Sequence, residues 1–458
     1  MNPAGGNRDS TAPAGRRPES QAPVGRRFVS QAPVGRRSAG PWSPEQSVGQ
    51  VPSGRPSPGP RPGSCSRPQG APRLLLTAGE DSSDAHGAGL VRALRRKGFE
   101  GEITGIGGPA LAAEGMHRIG QAEELAVVGL FEALKVVPAA LRLLRRVKGV
   151  FRDDPPDLFV PIDSPDFNLR LLPSSGRYGV PAVYFIAPQL WAWRPGRVKV
   201  LRRHARELLV LFPFETDWFE QRGVPTTYVG HPLVDAARTA DAADASAGNS
   251  ALDASAQNSD RCEEDSPVRG LLLPGSRRGE IARHLPILAE AASRVARHHE
   301  IGWSIRVAGE LDDEVYQPWA EEAGIRLSRR PLFELAREAQ VAVCVSGTAS
   351  FEVAITGTPV VVVYRMNALS WALAQRLVRV PFAAMANLTA GRQIVPELLQ
   401  ADCSPERIAS EVGRLLDDPA RRVQIREDLL GLRERFGAPG AYDRAAERVL
   451  AHLQPREP

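Results

Sequence analysis

The sequence predicts a two-domain α/β protein, each domain a parallel sheet covered by helices on both faces, followed by a helical C-terminal part. Three observations predict this. From residue 73 onward, short apolar runs alternate with amphipathic helical stretches, the pattern of strands joined by crossover helices. Residues 236–267 shift sharply to Ala, Ser, Asp and Asn and interrupt that alternation near the middle. Twice, finally, an apolar run ends in small residues that open a helix: Leu271-Leu-Leu-Pro-Gly-Ser-Arg-Arg-Gly-Glu280 and Val341-Ala-Val-Cys-Val-Ser-Gly-Thr-Ala-Ser-Phe-Glu352. A helix N-terminus offers unpaired N–H groups and the positive end of the macrodipole, which suits a phosphate. Arginine adds a bidentate grip on the anion. Either turn alone is explained by the tight βα geometry that glycine permits. The pair, with Arg277 and Glu352, points to a nucleotide-diphosphate site built by Gly275, Ser276, Arg277, Ser346, Gly347 and Thr348.

Composition narrows the function classes. A chain of 458 residues holds two ordinary domains and additional segments. Residues 1–73 carry 11 Arg, no Lys and three acids, a charge of +8; the remaining 47 basic and 50 acidic residues leave a net −3. The basic balance belongs to the tail, and the body shows no signal for nucleic acid. No apolar run reaches the ~20 residues of a spanning helix, and the N-terminus lacks the apolar core of a secretory signal. Cys65, Cys262, Cys344 and Cys403 are scattered without a CxxC pair, which suits a reducing cytoplasm and argues against a structural metal. Cys344 falls in a strand pattern and reads as core. Oligomeric state has no signature here.

The tail, residues 1–72, is rich in Pro, Gly, Ser and Arg and repeats itself: Gln21-Ala-Pro-Val-Gly-Arg-Arg27 returns as Gln31-Ala-Pro-Val-Gly-Arg-Arg37. It buries too little apolar surface to offset its ordering entropy and is expected to be disordered, a dispensable extension rather than an electrostatic arm. Order is expected from Arg73-Leu-Leu-Leu-Thr-Ala-Gly-Glu80, with a helix over 85–97 behind the capping cluster Asp81-Ser-Ser-Asp84. A second strand, Glu102–Ile106, leads into Gly107-Gly108-Pro109 and a short helix. A longer helix is expected over 123–150, apolar from Val127 to Leu141 and basic at Arg142, Arg145, Arg146 and Lys148. It suits either a helix packed on the sheet or one lying on a membrane surface, and its basic end favours the membrane. Strands at 157–162, 183–186, 208–212 and 227–229 complete the first domain, residues 73–235. Residues 236–267 are a flexible insertion. The second domain, 268–458, has strands near 269–273, 303–308, 341–345 and 359–364 and helices from about Pro405 onward.

The polar clusters fall at the strand ends, where open α/β sheets bind ligands. Asp163 leaves a strand and precedes Pro165; a carboxylate there can take a proton from an attacking hydroxyl, and Asp166 is expected to raise its pKa by repulsion. Ser164, Pro165 and Asp166 are otherwise explained as a helix start. Glu80 and Asp84 form a second acidic pair that serves capping or substrate contact equally well. His231 before Pro232 suits a structural hydrogen bond better than a cleft role. Trp191 and Trp193 suit packing, with an acyl or sugar pocket as the sharper alternative. No Asp-x-Asp metal motif appears, so arginine and helix dipoles would stabilise a diphosphate leaving group.

The ordered motifs Ala78-Gly-Glu-Asp-Ser-Ser-Asp84, Gly105-Ile-Gly-Gly-Pro109, Asp163-Ser-Pro-Asp-Phe-Asn168, Trp191-Ala-Trp-Arg194, Pro213-Phe-Glu215, Val229-Gly-His-Pro-Leu233, Leu273-Pro-Gly-Ser-Arg277, Ser346-Gly-Thr-Ala349 with Glu352, and Asn387-Leu-Thr-Ala-Gly-Arg392 with Pro396-Glu-Leu-Leu399 resemble lipid-A-disaccharide synthases from residue 73 to 453. The resemblance implies two Rossmann-like domains facing a central cleft, the glycosyltransferase-B type. It implies an inverting, metal-independent hexosyltransferase that moves 2,3-diacylglucosamine from its UDP derivative to 2,3-diacylglucosamine 1-phosphate (lipid X), giving the disaccharide 1-phosphate of lipid A and UDP. It needs no cofactor and works at the inner face of the cytoplasmic membrane. Asp163 matches the family's proposed base. Arg277 and 346–352 match the UDP site, Glu352 would hold the ribose hydroxyls, and Asn387 lies nearby. Glu80, Asp84, Asp166, Asn168, Trp193, Arg194 and His231 are the expected acceptor or cleft residues. The first motif departs from the usual Ala-Gly-Glu-Ala-Ser-Gly-Asp: Asp81 and Ser83 replace Ala and Gly, and a lost glycine narrows a loop that must approach ligand. The alternatives are a UDP-sugar 2-epimerase of the same fold and a non-catalytic nucleotide-sugar binder.

Overall fold

A computed structural model describes residues 71–453 except 122–132, 247–267, 310 and 379. Strands β1 (Arg73–Ala78), β2 (Glu102–Gly107), β3 (His117–Gln121), β4 (Leu158–Ile162), β5 (Val183–Phe185), β6 (Glu207–Val210) and β7 (Thr226–Tyr228) form one parallel sheet of order β3-β2-β1-β4-β5-β6-β7. A second parallel sheet has order β10-β9-β8-β11-β12-β13, from β8 (Val268–Leu273), β9 (Ile301–Arg306), β10 (Arg326–Ser328), β11 (Val341–Val345), β12 (Val360–Tyr364) and β13 (Glu397–Leu399). Both run outward from a centre where the order reverses, between β1 and β4 and between β8 and β11. Such a reversal opens a crevice beyond the strand ends.

The central strands were legible because they are buried on both faces and read as continuous apolar runs. Leu74, Leu75 and Leu76 are 0% exposed, as are Val360, Val361 and Val363. Strands β3, β10 and β13 have no such run. His117-Arg-Ile-Gly-Gln121 is half polar, and each of the three pairs along one edge only.

The first domain's helices are α1 (Asp81–Arg96), α2 (Pro109–Ala113), α3 (Ala133–Asp153), α4 (Pro165–Arg177), α5 (Val198–His204), α6 (Pro213–Glu220) and α7 (Pro232–Ser246). Helix α1 starts earlier than the capping cluster suggested. Glu80 is its N-cap, and Ser83 Oγ accepts from the Glu80 N–H at 3.0 Å and donates to the Glu80 carbonyl at 2.7 Å. Ser83 therefore lies in the first helical turn, fully buried, and narrows no loop. Helix α3 buries Leu143, Leu144, Val147 and Phe151, with Leu141, Arg142, Arg145, Arg146 and Lys148 outside. The expected stretch before Ala133 lies outside the described residues, as do the tail to residue 70 and residues 247–267 of the insertion. Residues 236–246, expected to be flexible, are helical instead. Alanine is the best helix former, and Arg238 Nη2 donates to the Arg433 carbonyl at 2.7 Å.

The second sheet carries α8 (Arg278–Ala296), α9 (Gln317–Glu322), α10 (Leu332–Glu338), α11 (Thr348–Ile355), α12 (Ala368–Leu377) and α13 (Met385–Ala390), then α14 (Pro405–Asp417), α15 (Pro419–Glu434) and α16 (Ala441–Ala451). Helix α16 does not stay with the domain that precedes it. Its Ala445, Ala446 and Val449 join the core beneath β1 and α1. Arg448 and His452 close on the buried Glu207 carboxylate, at 2.9 and 2.7 Å. Their bonds, with one from Thr227, hold that carboxyl below its usual range although burial opposes ionisation. Between the sheets, Phe212, His231, Phe351 and Phe436 stack in one aromatic cluster with ring centroids 4.8–5.9 Å apart.

Helix α16 approaches α1 so closely that only glycine fits at position 89: a Cβ there would lie 2.3 Å from the Tyr442 ring. Although alanine gains ~1 kcal/mol over glycine inside a helix, Gly89→Ala is expected to destabilise the protein by about 1–3 kcal/mol through overpacking. Urea unfolding checks this, and a gain in midpoint would show that the two helices are not in contact.

Candidate active site

Asp163 and Ser164 follow β4 with φ of 43° and 44°, two consecutive non-glycine residues in the left-handed region. Each is disfavoured by roughly 1 kcal/mol or more and persists only where its surroundings over-determine it. They do so here. Asn168, one turn into α4, donates through Nδ2 to the carbonyls of Asp163 at 2.8 Å and Ile162 at 3.1 Å, and its Oδ1 accepts from Thr77 Oγ1 at 2.7 Å. Tyr184 Oη donates to the Asp163 carbonyl at 2.5 Å, and Gly79 N–H donates to Ser164 Oγ at 3.1 Å. Ser164 thus precedes the helix as expected, but its hydroxyl ties β4 to the end of β1 rather than capping α4.

The turn places Asp163 just beyond the end of β4. Burial pushes its pKa up to about 6, the charge of Glu80 adds to this, and a backbone bond at Ser164 opposes it. The repulsion comes from Glu80 and not from Asp166, as the sequence suggested. Asp166 turns outward, its Oδ1 accepting from Arg197 Nη1 at 2.6 Å with Arg194 Nη1 at 3.7 Å. Behind the site, Glu215 is buried and pushed up to about 7 by burial, against the bonds from Trp191 Nε1 at 2.9 Å and the Phe212 N–H at 3.1 Å. That carboxylate fixes Trp191, while Trp193 is half-buried with the Arg194 guanidinium 4.5 Å from its ring centre.

The second sheet brings its two turns to the same place. Gly275 has φ 115°, and a Cβ there would lie 2.8 Å from Glu280 Cβ, so this turn requires glycine. Ser276 and Arg277 are exposed. Arg277 Nη2 reaches Glu80 Oε2 at 2.9 Å, a direct contact between the ends of β8 and β1. Gly347 is extended at φ 160°, and a Cβ on it would meet nothing within 4 Å, so Gly347 and Thr348 face open space. Ser350 repeats the arrangement of Ser83, its Oγ donating to the Gly347 carbonyl at 2.7 Å. Glu352 is raised by burial, with Arg306 acting in the opposite sense. Arg306 ends β9, and its Nε is buried without a partner.

Glu80, Asp163, Arg277, Ser276, Ser346, Gly347, Thr348 and Glu352 therefore gather at the two reversals of strand order. Asp166, Trp193 and Arg194 lie together, Arg194 contacting both of the others. Four expected contact residues are instead buried in scaffold positions. Asp84 accepts from the N–H groups of Gly108, Ala110 and Leu111 at 2.7–3.2 Å and caps α2. Asn168 locks the turn. Asn387 accepts from Ile394 and Val395 N–H groups and donates to Glu397. His231 accepts on Nδ1 from the Leu233 N–H at 3.2 Å and is held neutral, its pKa down to about 3 through burial and the nearby His86. The sequence reading assigned no site role to Arg197, Tyr184, Glu215 or Arg306. Glu215 stood there only within the motif Pro213-Phe-Glu215, and Arg197 lies three residues beyond Arg194 in an arginine-rich stretch. Among the described residues no three His, Cys, Asp or Glu side chains converge as metal ligands.

Two parallel-sheet domains, each reversing its strand order at its centre, define the glycosyltransferase-B class of fold. Solved structures share the fold: the kitacinnamycin glycosyltransferase at TM-score 0.52 and 17% identity, over 84% of this chain and 100% of that one, and a Listeria monocytogenes protein described as a putative UDP-N-acetylglucosamine 2-epimerase at TM-score 0.55 and 12% identity, over 84% and 96%. Within that class, residues 74–447 match the family model described as lipid-A-disaccharide synthetase, and the chain belongs to that family. It is 39% identical to the lipid-A-disaccharide synthase of Trichlorobacter lovleyi over 83% of this chain and 98% of the relative. Against that of Myxococcus xanthus it is 38% identical over 84% and 98%.

If Asn168 holds the left-handed turn, Asn168→Ala removes four side-chain hydrogen bonds. At 0.5–1.5 kcal/mol each, stability falls by about 2–6 kcal/mol, and turnover falls with it. Native stability in denaturant would remove Asn168 from this role.

Proposed function

We propose that the chain transfers 2,3-diacylglucosamine from UDP-2,3-diacylglucosamine to the 6-hydroxyl of 2,3-diacylglucosamine 1-phosphate, with Asp163 as base. The observation that supports this best is the Asp163 carboxylate on its locked turn, beside Glu80 and so next to Arg277. In the reaction the acceptor O6–H proton passes to the Asp163 carboxylate. The O6–C1 bond forms as the bond from C1 to the diphosphate oxygen breaks, and its electron pair leaves with UDP. Attack from the face opposite UDP inverts the anomeric carbon. Arg277, Ser276 and the N-termini of α8 and α11 receive the diphosphate charge, the open space at Gly347 lets the ligand approach the backbone, and Glu352 takes the ribose hydroxyls. Residues 73–235 hold the acceptor and the domain of residues 268–458 holds UDP. The epimerase resemblance is one of fold alone and brings no observation that favours that reaction here.

Incubation with both lipid substrates, followed by mass spectrometry, is expected to yield disaccharide 1-phosphate and UDP in equal amounts. Asp163→Asn should lower turnover by about 10²–10⁴-fold while UDP still binds. The base must be ionised, so activity is present above pH 6 and is lost as pH falls through about 6. Glu80→Gln removes a repelling charge and should move that limb to lower pH. An unchanged acid limb in Asp163→Asn would exclude this carboxylate as the base.

We further propose that the protein works on the inner face of the cytoplasmic membrane, docking through the basic outer face of α3. Among the described residues no helix is long and apolar enough to cross a membrane. Leu141 is 40% exposed beside Arg142, Arg145 and Lys148, and each cation near an anionic surface contributes ~1 kcal/mol. Protein lacking residues 1–72 should float with anionic liposomes, and changing these three cations to Glu should abolish flotation. Retention by the charge-reversed variant would move the docking face elsewhere.

A further inference from the structure

Beside Asp163 lies a cluster that the transfer step does not use. Asp166, three residues further on, sits in the first turn of α4. Three residues of chain reach ~10 Å at most, the scale of one phosphorylated sugar ring. Two guanidiniums face its single carboxylate, Arg197 at 2.6 Å and Arg194 at 3.7 Å. A surface ion pair is worth about 0–1 kcal/mol and requires only one arginine. The second is held at a cost: Arg194 has φ 54° and ψ 49°, a left-handed backbone that brings the Cβ of an L-residue close to the following carbonyl oxygen and is disfavoured by roughly 1 kcal/mol. This backbone places the guanidinium 4.5 Å from the Trp193 ring centre, where stacking fixes its plane and leaves its edge donors free to point outward. Arg194 and Asp166 side chains are 42% and 62% exposed. The trio carries one net positive charge, at the positive end of the 13-residue helix α4.

We infer that Arg194 and Arg197 form a site for the phosphate monoester of the acceptor, with Asp166 holding their guanidiniums in place until it arrives. This rests on the transferase reading. The acceptor presents its 6-hydroxyl at one end of the ring and its phosphate at the other. A ring anchored by its phosphate at Arg194 and Arg197 brings the hydroxyl to Asp163. The donor sugar carries its diphosphate across the cleft at Arg277, so the arginine pair reads acceptor identity and not donor identity. A dianionic phosphate accepts paired bonds from both planar forks, which neither a hydroxyl nor an acyl chain does.

The test compares 2,3-diacylglucosamine 1-phosphate with 2,3-diacylglucosamine lacking the phosphate, in wild type and in Arg194→Ala/Arg197→Ala, with UDP binding measured by calorimetry as the control for folding. Wild type should prefer the phosphorylated acceptor in kcat/KM by on the order of 10²-fold or more, the worth of two charge-assisted contacts. In the double variant the preference should collapse towards unity through acceptor KM, with UDP affinity unchanged. Arg194→Lys/Arg197→Lys, which keeps charge without the forks, should retain part of the preference. Full preference in the alanine variant would overturn the inference, and so would an equal loss for both acceptors. Absence of disaccharide from either acceptor with wild type would instead remove the transferase reading on which the inference stands.

Discussion

The structure depends on one constraint, the left-handed turn at Asp163 and Ser164. Parallel strands end at the same edge, so a side chain aimed into the cleft has to leave its strand abruptly. Two non-glycine residues at positive φ make that departure, and the surroundings hold them there. Asn168 bridges the ends of β1 and β4, Tyr184 comes from β5, and Gly79 reaches Ser164 from β1. Three neighbouring strands thereby fix one carboxylate. Rigid placement on scaffold elements is what the proposed role of Asp163 as base would require, and the strain is part of that placement.

The second dependence is electrostatic and crosses the cleft. Arg277 is paired with Glu80 at 2.9 Å. The same Glu80 raises the pKa of Asp163. In the proposed reaction a diphosphate at the β8 turn would compete with Glu80 for Arg277, which would link donor binding to the charge environment of Asp163 through one side chain. The pair is exposed and weak, which suits a contact that must be exchanged for a substrate.

The domains are tied by more than the cleft. The aromatic cluster of Phe212, His231, Phe351 and Phe436 lies between the sheets, and α16 returns to pack on α1 and close on Glu207. A neutral His231 in that cluster is consistent with its burial: an imidazolium among three phenyl rings would be desolvated without a counter-charge.

The sequence by itself determined the two parallel sheets, because strands buried on both faces must be continuously apolar, and it located the ligand edge, because small residues must sit where such strands turn into helices. It marked Asp163, Arg277 and Glu352 as residues whose chemistry exceeds what a turn needs. Edge strands β3, β10 and β13 escaped it, since one-sided pairing relaxes the apolar pattern. Only the tertiary structure decided which polar residues face the cleft. Asp84, Asn168 and Asn387 lie in motifs like those of the site, yet their polar atoms are taken by backbone groups brought near by other strands. It also decided that Glu80, distant from Asp163 in sequence, supplies the repulsion, that Arg194 and Arg197 meet at Asp166, and that α16 leaves its own domain. These are contacts between segments far apart in the chain, and a linear pattern holds no record of which buried donors and acceptors will meet.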